Sequence, residues 1–129
     1  MDYHTKEFTY KLRPDDIIEI SMRKDFEGNL VLEEVEENLR ILDEVIGGKP
    51  KGIILHFPEK YVKKEVLKQY TEPPKHVVAR AFLTQSFASK LIGNLYLTLI
   101  QRFIKENIPS KIFSKKQEAI EWLTKELNN

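Results

Sequence analysis

Groups able to exchange protons, hold a metal or attack a substrate occur in this sequence, but their spacing does not bring them together. The three histidines, His4, His56 and His76, have no second histidine at helical ligand spacing, and a metal centre needs at least three convergent ligands. His56 closes one apolar run and His76 precedes the next, so in parallel neighbouring strands they fall at opposite edges of the sheet. Asp15-Asp16 has the look of a paired-carboxylate site, yet it follows Pro14 in a turn, where aspartate bonds to its own backbone. Glu33, Glu34, Glu36 and Glu37 crowd the start of a predicted helix, where the dipole favours negative charge. There are no cysteines, which removes disulfides, iron–sulfur clusters, thiolate zinc and a cysteine nucleophile. Gly47-Gly48 follows a helix rather than a strand, unlike a phosphate loop, and no Gly-x-Ser-x-Gly elbow occurs. No catalytic residue, metal ligand set or cofactor is expected.

Binding is better served than reaction. In Thr84-Gln85-Ser86-Phe87-Ala88-Ser89-Lys90 an apolar strand turns into the longest helix. Ligands of open α/β sheets bind at the carboxyl ends of strands, and a helix N-terminus offers free N–H groups to an anion. Thr84, Gln85, Ser86, Ser89 and Lys90 are therefore the candidate ligand- or phosphate-binding residues, and helix capping is the competing use of the hydroxyls. Arg80 interrupts an otherwise apolar strand. A lone buried guanidinium is costly, so Glu19 on the wet face of a hairpin is the expected ion-pair partner. Placement of Arg80 in an empty, exposed pocket would point instead to anion binding.

The elements that position these residues follow from periodicity. Phe8, Tyr10 and Leu12, then Ile18, Ile20 and Met22, alternate with polar residues about an Arg13-Pro14-Asp15-Asp16 turn, the pattern of a β-hairpin. Asn29 is the expected N-cap of a helix carrying Leu32, Val35, Leu39, Leu42 and Ile46, which ends at Gly47-Gly48. Strands are expected at 52–57, 77–83 and 111–113, with a short helix through Val62, Val66 and Tyr70, a long one from Gln85 or Ser86 to about Lys105, and a last one capped by Ser114 with Gln117. In the long helix Ala88, Leu91, Leu95, Leu99 and Phe103 are assigned to the core. Gly93, Leu97, Ile100 and Ile104 form a second stripe, to be covered by a neighbouring helix or by the second copy of a homodimer.

The resulting ββαβαβαβα order predicts one α/β domain over residues 1–129, with a mixed, mostly parallel five-stranded sheet and about four helices. Its 129 residues, 41% hydrophobic and 32% charged, suit one core. A net charge of +1 argues against a dedicated nucleic-acid binder. Residues 24–48 nevertheless hold two basic and eight acidic side chains, and residues 49–80 eight basic and three acidic. The N-terminus lacks a secretory pattern and the Phe87–Ile104 segment is interrupted by Lys90, Asn94, Gln101 and Arg102, so a cytoplasmic protein without a membrane span is expected.

Ala79-Arg80-Ala81-Phe82-Leu83, running into Leu91-Ile92-Gly93-Asn94-Leu95-Tyr96-Leu97, and the ending from Lys111-Ile112-Phe113 to Glu118-Ala119-Ile120-Glu121-Trp122-Leu123 resemble the STAS-like, SpoIIAA-like family of small bacterial domains. That resemblance implies the fold, and a non-catalytic regulatory or protein-interaction module with a protein partner. The looser relation to Sec14-type carriers implies the alternative, a carrier or sensor of a lipid-like or other small apolar or anionic ligand. In the antagonist branch of that family a phosphorylated serine follows the third strand. Here that position reads His56-Phe57-Pro58-Glu59-Lys60, without a hydroxyl. A phosphoswitch would have to use Ser86 or Ser89.

Overall fold

The computed structural model describes residues 1–129. The chain runs β1 (Asp2–His4), β2 (Phe8–Leu12), β3 (Ile17–Met22), a 3₁₀ turn (Leu32–Glu34), α1 (Val35–Ile46), β4 (Lys51–His56), α2 (Lys64–Lys68), β5 (Val77–Leu83), α3 (Phe87–Phe103), β6 (Ser110–Phe113) and α4 (Lys116–Leu127). The six strands lie in sequence order. β1, β2 and β3 pair antiparallel and β3 to β6 pair parallel. The class is the expected one, but six strands replace five. The additional strand, β1, has only three residues, too few to show an alternation, and adds to the hairpin with Asp2 opposite Lys11.

Sequential order explains the layers. Each of the three crossovers steps to the next strand in one direction, and crossovers of one hand then deliver α1, α2 and α3 to the same face. That face buries Tyr10, Ile18, Ile20, Ile53 and Phe82 beneath Leu42, Val45 and Ile46 of α1, Val66 and Leu67 of α2, and Ile92, Tyr96, Leu99 and Ile100 of α3. α4 is no crossover and folds back on the other face, where its Ala119 and Leu123 cover Ile17, Ile54, Ala79, Ala81 and Leu83. Small alanines on β5 let this single helix lie close. No helix is long and apolar enough to cross a membrane.

Two helix starts differ from expectation. α1 begins after the 3₁₀ turn rather than at Asn29, because Leu30 is pulled into the core and the chain stays extended through Val31. α4 starts after Lys115, with no side-chain cap, so Ser114 and Gln117 do not form a capping box. Gly47 does end α1, in the left-handed conformation (φ 66°) that glycine adopts without steric cost.

Candidate ligand-binding cavity

Between the sheet and α1–α3 the packing leaves a cavity of about 100 Å³. Fourteen of its twenty lining residues are hydrophobic, so its polar groups are few enough to account for one by one. Three rings of the lining pack on one another: Phe57 meets Phe82 and Tyr96 edge-on, with centroids 5.4 and 5.7 Å apart, and Phe82 and Tyr96 are 5.2 Å apart. Leu39 of α1 and Glu72 of the α2–β5 loop line it while remaining exposed, so it reaches the surface beside them.

The tyrosine hydroxyls around the cavity are already engaged. Tyr10 donates to the Asn38 carbonyl (3.0 Å), Tyr96 donates to the Tyr70 carbonyl, and the Tyr70 hydroxyl accepts from Asn38 Nδ2 (3.0 Å). Burial pushes the Tyr70 and Tyr96 hydroxyls up to about 12, so both stay protonated and serve structure. Asn38 Nδ2 also donates to Glu7 Oε1 (2.8 Å), while Val31 N–H donates to Glu7 Oε2 (3.1 Å). Glu7 is 1% exposed, and burial outweighs these bonds to hold its carboxyl above the usual range.

Two buried side-chain atoms have no partner, Asn38 Oδ1 and Arg80 Nε, and both residues line the cavity. Arg80 is 3% exposed. Its Nη1 donates to the Thr71 carbonyl (3.1 Å) and its Nη2 to Asn107 Oδ1 (2.9 Å). Burial draws the guanidinium below its ordinary value, with Tyr96 opposing.

The expected Arg80–Glu19 pair does not form, because the two side chains lie on opposite faces of the sheet. Arg80 alternates with Ala79 and Ala81 of the α4 face, whereas Glu19 stands opposite Ile54 on that face. Glu19 instead accepts from His56 Nε2 (2.6 Å) and Lys116 Nζ (2.9 Å) and faces Arg13 (3.6 Å). Burial would raise its pKa, but the hydrogen bonds from Lys116 and His56 prevail and hold it below the usual range.

At the β5–α3 junction the hydroxyls cap the helix. Ser86 Oγ accepts from Ser89 N–H (3.1 Å), and Ser89 Oγ accepts from the Ser86 and Gln85 N–H groups (3.0 and 3.1 Å). Ser89 is 1% exposed and Thr84 is 5% exposed, whereas Gln85 and Lys90 are in solvent. The Ser86 and Ser89 hydroxyls are thus spent on capping the helix, while the Gln85 and Lys90 side chains stand in solvent.

The two stripes of α3 exchange roles. Gly93 and Ile100 are buried within the chain, and Leu97 and Ile104 are half-buried against the same core. A Cβ on Gly93 would stand 3.1 Å from Thr84 Cγ2 and 3.6 Å from the Phe57 ring, so the glycine serves close packing under the sheet edge. Of the residues assigned to the core from sequence, Leu99 is buried, whereas Ala88, Leu91, Leu95 and Phe103 are exposed, as is Phe87.

Sequence reasoning passed over Asn38 and Phe57. For Asn38 a signal existed, since Val35, Asn38, Leu42 and Val45 keep a 3-4-3 spacing that puts the amide on the buried side of α1. Residues 10–127 match the family described as Domain of unknown function (DUF7793). No curated protein and no solved structure matches the chain.

Proposed function

The chain belongs to the DUF7793 family, whose description carries no activity, and we propose that it is a non-catalytic regulatory module that senses or carries a small, largely apolar ligand. The observation that carries this reading is the cavity under α1–α3, an apolar, aromatic-walled space whose lining residues Asn38 and Arg80 each hold a buried polar atom without a partner. Ligand sites of proteins share that make-up, an apolar lining with few placed polar groups. A lining of engaged tyrosines suits holding a molecule rather than converting it.

The kinship with STAS-like domains stands as part of the same proposal, supported by the sequential sheet order and the three crossover helices on one face. In such a module, ligand in the cavity would couple to a protein partner through α3, whose exposed Phe87, Leu91 and Leu95 succeed one another at four-residue spacing while its buried side lines the cavity through Tyr96.

Native mass spectrometry of the purified full chain tests the ligand reading against Leu42→Phe, which adds volume to a buried residue lining the cavity. A small-molecule adduct, or an adduct with added toluene, is expected on the parent chain and absent from the variant. Bare protein in both, with no amide of a cavity residue shifting in toluene-saturated buffer, would remove the proposal.

A further inference from the structure

Arg80 is a charge without a counter-ion. Its two outer nitrogens each donate one bond to a neutral oxygen, the Thr71 carbonyl and the Asn107 amide, and no carboxylate forms a salt bridge with it. Removing a cation from water is expensive unless an opposite charge and a full set of hydrogen bonds replace the solvent. Here Nε is buried and has no partner, and Arg80 is among the residues that line the cavity. An anionic group in the cavity would supply both the bond and the charge.

The surroundings narrow the anion. The single positive charge of Arg80 matches a carboxylate, whereas a phosphate carries up to two negative charges. The space is about 100 Å³, somewhat below the roughly 150 Å³ of an engineered protein cavity that holds benzene. A short branched chain fits within it, a single ring only with part of it in the opening beside Leu39 and Glu72, and a full acyl chain does not fit. The packed rings of Phe57, Phe82 and Tyr96 offer such a body edge and face contacts.

On the reading that the cavity binds a ligand, we infer that its ligand is a compact apolar monocarboxylate, with the carboxylate on Arg80 Nε and the apolar body against Phe57, Phe82 and Tyr96. The charge of Arg80 is thereby the specificity determinant, and the ring cluster supplies most of the contact.

Titration of the ¹⁵N-labelled full chain with benzoate, benzamide, toluene and inorganic phosphate tests this. Benzoate is expected to bind at least about tenfold more tightly than benzamide or toluene, the difference of one charge-assisted hydrogen bond. It should move the side-chain Nε–H resonance of Arg80, and phosphate should leave that resonance in place. Arg80→Met should bind toluene and lose the preference for benzoate. Should that variant fail to fold, the Arg80 Nε–H shift in the unaltered chain decides the question alone. Equal binding of benzamide and benzoate, or an unmoved Nε–H at benzoate saturation, would overturn the carboxylate assignment while leaving a ligand cavity. Absence of any cavity shift with all four probes would overturn the ligand reading itself.

Discussion

At the scale of single residues the unusual feature is a small set of buried polar groups around an apolar space, each with a definite reason for its cost. Asn38 is the hinge of that set, since its amide bonds Glu7 and Tyr70 while its backbone carbonyl takes the Tyr10 hydroxyl. Asn38→Leu leaves a buried Glu7 carboxylate with only the Val31 N–H, and an orphaned buried carboxylate is more costly than the bond itself. A loss of about 2–4 kcal/mol is expected in urea denaturation. Glu7→Gln in the same background should recover part of it, because a neutral amide still accepts from Val31 and leaves no charge behind. A double variant no more stable than Asn38→Leu would show that the cost lies in packing.

At the scale of elements, most of the architecture was legible. β5 was expected at the residues it occupies, Val77–Leu83, because a run polar only at Arg80 has no helical period, and the Ser86 start of α3 followed from a hydroxyl at a strand–helix boundary. The orientation of α3 was not legible. Its apolar residues ring the helix, and the buried arc is chosen by Gly93 and Tyr96, whose reasons are tertiary: room for Thr84 and Phe57, and a hydroxyl reaching Tyr70. The cavity lay equally out of reach, because a gap between packed side chains leaves no periodic trace. Gly93→Leu tests the corrected orientation. Overpacking against Thr84 and Phe57 should cost about 1–3 kcal/mol or more, and the midpoint shift should be the same at low and high protein concentration. A loss that grows on dilution would restore Gly93 to an interface between copies.

At the scale of the whole molecule the two faces of the sheet are covered unequally, by three helices on one side and by α4 alone on the other, and Glu19 ties the thinner side together. It joins β3 to His56 at the end of β4, to Lys116 at the start of α4 and to Arg13 at the hairpin turn, with its side chain 13% exposed. The carboxyl is held below its ordinary value of 4.5 in the fold, so the carboxylate stabilises the native state above about pH 4.5, and that contribution disappears as the pH falls through the lower, folded-state value. Glu19→Gln keeps the shape and removes the charge. At pH 7 the variant should be less stable by about 1–2 kcal/mol, the lower part of the range for charged hydrogen bonds because Lys116 is partly solvated. As the pH falls through that lower value the two urea midpoints should converge, since protonation makes the parent resemble the variant. A gap that stays constant from pH 7 to pH 3 would mean that Glu19 holds α4 by packing, and that the charge cluster contributes nothing to the second layer.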